Sequence, residues 1–238
     1  MTLFQIYRRQ FEELAPLRRH LFGLLPLRRC RRIVEPGCGT GLLLWQLAGL
    51  TGAALTGLDL DEIALAEARR RPDFADPAAR PPEFRRQDVT RSRLPEADAY
   101  VSSFFLYQLA DPVAFLGEVR RSLAPDGLYA VAGEYDYAAV LEEPVAAGLK
   151  DALLESFRRE GFHLDAGHRL AEWFERAGFQ TVQQGIVQGS LQPPDREFLR
   201  FQLRDLLPPA ELEIRLADGP WAAVRLSFPV HWGIYQRG

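Results

Sequence analysis

A chain of 238 residues, 47% hydrophobic and 26% charged, has ordinary globular composition and is long enough for one α/β domain with a small cap. The formal net charge of −3 provides no overall electrostatic footprint for nucleic acid. Two cysteines, Cys30 and Cys38, make no disulfide framework, no His/Cys metal spacing is present, and no apolar run approaches the roughly 20 residues of a membrane span. A soluble, cytoplasmic protein is expected.

Residues 3–25 place Leu3, Phe4, Tyr7, Phe11, Leu14, Leu17, Leu21 and Leu24 at helical spacing, and Pro16 divides the segment into two helices. Residues 1–32 also carry Arg8, Arg9, Arg18, Arg19, Arg28, Arg29, Arg31 and Arg32 against Glu12 and Glu13. That surplus is either a basic face for nucleic acid or a solvated face; no aromatic platform for single strands accompanies it. Arg32-Ile33-Val34 then reads as a short buried strand and Leu42–Ala48 as a buried helix. Between them Gly37, Gly39 and Gly41 alternate along the turn. Glycine permits backbone angles closed to other residues and lets a ligand lie against the main chain. The carboxyl end of a first strand is also where open α/β sheets bind ligands. The spacing is G-x-G-x-G; a dinucleotide fingerprint would need its third glycine at position 42, which is Leu42.

Ala53–Asp59 reads as the second strand. Asp59 at its end can accept hydrogen bonds from vicinal ribose hydroxyls, whereas Asp61 is placed to cap the helix Glu62–Arg71. After a Pro-rich loop over 72–82, Phe84–Val89 is the third strand and Ala97–Phe104 the fourth. Asp111 and Pro112 open a helix to Leu123, and Leu128–Glu134 comes next as the fifth strand. This alternation predicts a parallel, doubly wound sheet. Beyond Tyr135 the spacing predicts helices over Pro144–Arg159, up to Ala177, and over Pro193–Leu207. It also predicts a strand at Gln180–Val187; residues 208–222 run through Pro208-Pro209 and Gly219-Pro220, and Ala223–Tyr235 resembles an antiparallel last strand.

The run Glu35-Pro36-Gly37-Cys38-Gly39-Thr40-Gly41 resembles the first motif of class I S-adenosylmethionine-dependent methyltransferases, and the chain is similar to their small-molecule type. The resemblance covers residues 33–134 well and the rest loosely. It implies a Rossmann-like, doubly wound, mostly parallel seven-stranded sheet with an antiparallel last strand and helices on both faces. It implies a single domain over 1–238, with 33–134 as cofactor-binding core and 135–238 supplying substrate-side helices and last strands. Residues 1–32 and 135–165 would form a lid.

The implied cofactor is S-adenosyl-L-methionine, leaving as S-adenosyl-L-homocysteine, with no metal. The resemblance assigns it Glu35, Gly37, Cys38, Gly39 and Gly41 in the loop, Asp59 and Leu60 at the ribose, and Asp88 and Val89 at the adenine. Ser102, Ser103 and Phe104 would flank the sulfonium. Tyr7 and Arg18 are candidates to cover the cofactor and hold its carboxylate, or are helix-face residues. Gln108 stands where many members carry His, which removes one possible base. Tyr107, His163 and His168 remain candidates over the acceptor, as do Glu134 and Tyr135; Tyr107 also reads as a packing residue and the histidines as surface or helix-start residues. The implied partner is a small-molecule methyl acceptor presenting O, N or another nucleophile, with a monomer or homodimer and no membrane. A non-catalytic S-adenosylmethionine-binding scaffold and an RNA or protein methyltransferase stay open. For the latter, no Asn/Asp-Pro-Pro-Tyr/Phe motif is present, since the fourth strand runs out in Ser102-Ser103-Phe104-Phe105.

Overall fold

A computed structural model of the chain describes residues 3–145 and 147–238. Its frame is a seven-stranded sheet in the order β3-β2-β1-β4-β5-β9-β7. The strands are β1 (Arg32–Pro36), β2 (Ala54–Asp59), β3 (Glu83–Arg86), β4 (Ala97–Ser102), β5 (Leu123–Tyr135), β7 (Phe179–Gln188) and β9 (Pro229–Arg237). The pairings β1 with β2, β1 with β4, β2 with β3 and β4 with β5 are all parallel, and β9 runs antiparallel to both β5 and β7. The order reverses at β1 and β4, so their carboxyl ends diverge and open a crevice there.

Side chains alternate across this sheet with a period of two. Ile33, Leu55, Val101, Ala130 and Ala132 face one core, shared with α2 (Ala15–Leu24) and α3 (Leu42–Ala48). Val34, Leu58, Tyr100, Tyr129 and Val131 face the other, shared with α5 (Pro112–Ser122) and α7 (Ala166–Arg176). Covering both faces explains why the central strands read as continuous apolar runs. The N-terminal helix α1 (Leu3–Glu13) breaks at Leu14, and Pro16 sits in the first turn of α2, where its missing N–H costs nothing. α4 (Glu62–Ala68) starts where Asp61 Oδ1 accepts from the N–H groups of Ile63 and Ala64 at 2.8 and 3.2 Å.

The C-terminal third departs from the sequence expectation. A third core gathers α6 (Leu149–Arg159), α8 (Arg196–Leu203) and α9 (Pro209–Ala217) around Leu153, Phe157, Leu203, Leu212 and Trp221. α9 lies inside 208–222, where the Pro208-Pro209 pair suggested only a break. Proline in a first helical turn opens a helix rather than ending one. The expected strand at 223–235 is two strands. β8 (Arg225–Ser227) pairs with β6 (Leu141–Glu143) in a separate two-stranded sheet, and β9 begins afresh at Pro229. β3 stops at Arg86, so Asp88 and Val89 lie beyond it. Among the described residues no helix is long and apolar enough to cross a membrane.

Candidate functional site

The loop between β1 and α3 is built from backbone. Gly37, Gly39 and Gly41 all hold left-handed φ angles, of 65°, 48° and 72°. A Cβ on Gly37 would overlap the Phe105 ring, and one on Gly41 would come within 2.6 Å of the Phe84 ring. Those two glycines are therefore closed by packing. A Cβ on Gly39 would meet nothing within 4 Å, so the middle of the loop faces open space. The Gly39 N–H donates to Asp59 Oδ2 at 2.7 Å and the Gly41 N–H to the Cys38 carbonyl at 2.8 Å. The Cys38 side chain turns the other way: it is buried, and a Cβ on Gly57 would lie 2.8 Å from its Sγ. Burial first, then the nearby carboxylates, raises its thiol pKa far above the usual range, so no thiolate is available.

Acidic and apolar groups surround that open space. Asp59 Oδ1 accepts from the Asp61 N–H at 2.9 Å, so each Asp59 oxygen holds one backbone donor and keeps a lone pair. Glu35, at the end of β1, is buried with Oε2 lacking any hydrogen-bond partner. Desolvation, then the charge of Asp59, raises its pKa well above the carboxylate range. Leu60 is 56% exposed despite being apolar, and Val89 is buried. Asp88 is engaged locally: its Oδ1 accepts from the Thr90 N–H at 2.9 Å and the Thr90 hydroxyl at 2.6 Å, and these bonds lower its pKa. Arg18 is buried in α2, donating from Nε to Gln46 Oε1 at 2.8 Å and from Nη2 to the Phe11 carbonyl, over whose ring it stacks at 3.5 Å. Burial lowers its pKa to about 10, and among the described residues no carboxylate is ion-paired with it. Tyr7 on α1 is 41% exposed, and its phenol pKa is raised by partial burial and then by the charges of Asp61, Asp59 and Glu160.

Across from the loop, β4 ends in Ser102, which is fully buried with its hydroxyl beside that of Tyr129; Ser103 is half-buried. Phe104 comes next with φ of 53°, a left-handed conformation that a bulky residue adopts only under constraint. Two contacts hold it: its N–H donates to the Gly133 carbonyl at 2.8 Å, and its ring stacks on Tyr135 with centroids 4.4 Å apart. The turn over 105–108 hangs from Glu134, whose Oε2 accepts from the Leu106 N–H at 2.9 Å, with the Phe105 and Tyr107 amides also contributing. Glu134 Oε1 has no partner, and burial pushes its pKa up to about 8. Tyr107 packs edge-on against Tyr137 and Phe162, at 5.6 and 4.8 Å between centroids. Tyr135 accepts through its hydroxyl from Gln10 Nε2 at 2.6 Å and also packs on Phe228, 5.4 Å away.

The structure thus gathers the loop glycines, Glu35, Asp59, Ser102, Ser103, Phe104, Tyr107 and Tyr7 at one end of the sheet. His163 is tied to Tyr107 through its backbone, its N–H donating to the Tyr107 carbonyl at 2.9 Å. His163 Nε2 lies 3.0 Å from the Leu109 carbonyl and its ring packs on Trp173, while His168 is exposed on α7. Gln10, Phe162 and Phe228 also touch Tyr135 or Tyr107. Each reaches them from a distant segment, so no local motif marks them.

Residues 34–131 match the family described as methyltransferase domain. A trans-aconitate 2-methyltransferase of Methylobacterium nodulans is 30% identical over 195 residues, covering 67% of this chain and 72% of that protein. The acetylserotonin O-methyltransferase of Rattus norvegicus is 33% identical over 166 residues, which is 66% of this chain but 36% of the rat protein. A tRNA U34 carboxymethyltransferase of Pseudoalteromonas atlantica is 24% identical over 161 residues, 64% of this chain and 46% of that one. The matched stretch therefore spans less than half the length of the last two. In fold, the chain superposes on a solved Bacillus halodurans C-125 protein with a TM-score of 0.65 at 14% identity, covering 92% of this chain and 98% of the other.

Proposed function

Because the chain belongs to the class I S-adenosylmethionine-dependent methyltransferase family, we propose that it moves the methyl of S-adenosylmethionine to an oxygen, nitrogen or other nucleophile of a small molecule. The observation that carries the donor half is the asymmetry of the loop: Gly37 and Gly41 are closed by Phe105 and Phe84, while Gly39 opens to free space. The residues present fit the group. Asp59 keeps lone pairs for ribose hydroxyls, exposed Leu60 offers an apolar platform for a base, and Arg18 is a buried cation with no carboxylate partner among the described residues.

When bound, S-adenosylmethionine supplies a methyl already activated on a sulfonium. The protein's own task is then to fix donor and acceptor in line and keep water out. Glu134 serves the first by tethering the 105–107 amides, which sets Phe104 and Tyr107 against the loop. Helix α1 serves the second, through Tyr7 and the Gln10–Tyr135 hydrogen bond. An RNA acceptor is a second reading, favoured only by the tRNA-acting relatives; the net charge of −3 weighs against it.

Calorimetric titration with S-adenosylmethionine, S-adenosylhomocysteine and NAD tests the donor half. Micromolar binding of the two sulfur compounds and none of NAD is expected. Binding of neither sulfur compound would overturn the proposal.

A further inference from the structure

The chemistry of the acceptor is written in the side chains beyond Phe104. Rings from four separate segments meet there: Phe104 and Tyr107, Tyr135 and Tyr137, Phe157 and Phe162, and Phe228. Phe104, Tyr107, Tyr135, Phe162 and Phe228 are only half-buried, so the cluster keeps ring edges uncovered. Glu134 lies within it, its charge acting on Tyr107, Tyr135 and Tyr137, and its buried Oε1 has no partner. Phe105, which follows Phe104 in the chain, packs its ring against Gly37 and so joins this cluster to the glycine loop.

Among the described residues, no Arg, Lys or His is ion-paired with Glu134 or stacked on a ring of this cluster. The nearby Lys150 is occupied, its Nζ donating to the Val140 carbonyl at 2.6 Å and the Ala138 carbonyl at 3.3 Å.

We propose that the methyl acceptor is an uncharged planar aromatic compound carrying a hydroxyl or amino group, seated against Phe104, Tyr107 and Tyr135. This rests on the donor reading above. Aromatic faces and edges pair best with another ring in stacked or edge-on geometry. A polycarboxylate or phosphate would lose its hydration against these rings with no cation to replace it. A cationic amine would find the rings attractive but could not reach the Glu134 carboxyl as a counter-ion, because Glu134 is fully buried. In the transfer, the acceptor's O or N forms a bond to the methyl carbon and releases its proton to water. The carbon–sulfur bond breaks with its electron pair left on sulfur, as the neutral thioether.

The test measures S-adenosylhomocysteine binding and initial rates of labelled methyl transfer on the same full-length protein. The aromatic probes are 2-naphthol, 5-hydroxyindole, 8-hydroxyquinoline and 1-naphthylamine; the others are ethanolamine, tricarballylate and a short RNA stem-loop. The best aromatic probe should exceed each of the other three by at least about tenfold in kcat/KM. Tyr107→Leu should raise KM for that probe about three- to tenfold, the size of an aromatic pair. It should leave S-adenosylhomocysteine affinity unchanged, and Tyr107→Phe should restore KM. Preference for ethanolamine, tricarballylate or RNA, or transfer to no aromatic probe by protein that binds S-adenosylhomocysteine, would overturn the inference. An unchanged KM in Tyr107→Leu would do the same. Loss of S-adenosylhomocysteine binding itself would instead bring down the donor reading, and this inference with it.

Discussion

The glycine loop and the aromatic cluster flank the same crevice but are made of different material. The loop is backbone: three left-handed glycines within five residues, with amides held by Asp59 and Cys38. The cluster is side chain: rings drawn from positions as far apart as Phe104 and Phe228, arranged around one buried carboxyl. Backbone geometry constrains residue type narrowly, since only glycine fits φ near 60° without strain. Ring packing constrains it loosely, because Phe, Tyr and Trp can exchange as long as volume is filled. The first region can therefore serve one ligand across many proteins, whereas the second can be rebuilt for each acceptor.

Breaking the backbone side of this contrast should give the largest effect. Gly37→Val places its branches in the Phe105 ring and forces a left-handed β-branched residue. Overpacking of about 1–3 kcal/mol plus about 1–2 kcal/mol of backbone strain predicts a loss near 4 kcal/mol. Gly39→Ala has no neighbour to strike and should lose only the strain, about 1 kcal/mol. Its S-adenosylhomocysteine affinity should nonetheless fall by more than its stability does. Denaturant melts and calorimetry on both variants check this. Equal stability losses would mean that the open face of Gly39 is not special.

Glu134 tests the side-chain half. Its carboxyl pKa is about 8 in the fold against an ordinary 4.5, so the folded state holds the proton more tightly than the unfolded one. Its stabilising contribution is therefore complete below about pH 4.5, declines as pH rises, and is gone above about pH 8. Glu134→Gln keeps an acceptor for the 105–107 amides and removes the titration. The wild type should lose stability relative to this variant between pH 5 and 9, by up to about 4 kcal/mol. Taking the difference cancels other buried acids such as Glu35, which shifts in the same direction. Parallel stability–pH curves from urea melts would show that Glu134 ionises freely in the fold.

The same contrast explains what the sequence reveals. Strands β1, β2, β4 and β5 and the loop are legible because their signals are local: apolar runs, alternate glycines, and acids at strand ends. The surroundings of the histidines are not legible in the sequence, because His163 lies against the Leu109 carbonyl and Trp173 through tertiary packing. α9 was hidden by a proline pair with two meanings, break and first turn, which only the residues after Pro209 can separate. The ring cluster is illegible for a deeper reason. The pairing of Tyr135 with Phe228 spans 93 residues, and no spacing rule reaches that far.

Asp59 sits where backbone and side chain meet, and its removal should cost less than either break above. Asp59→Ala loses the Gly39 and Asp61 amide bonds as well as the lone pairs offered to ribose. For charge-assisted bonds this weakens S-adenosylhomocysteine binding by about 1.5–3 kcal/mol, or roughly ten- to more than a hundredfold. Wild-type affinity in a titration of this variant would mean that the ribose binds elsewhere.

The smallest effect belongs to Cys38, and it sharpens the claim that the loop acts through main chain. Its Sγ packs toward Gly57, and the Gly39 carbonyl oxygen lies 4.0 Å from it, too far for a useful bond. Cys38→Ser buries a hydroxyl where a weakly polar sulfur was, costing about 1 kcal/mol of stability. The φ angles of Gly37, Gly39 and Gly41 do not depend on that side chain, so S-adenosylhomocysteine affinity and methyl transfer should stay within about twofold of wild type. If transfer were abolished while folding and binding survived, the thiol would have a chemical role, and a loop built purely from backbone would be the wrong description.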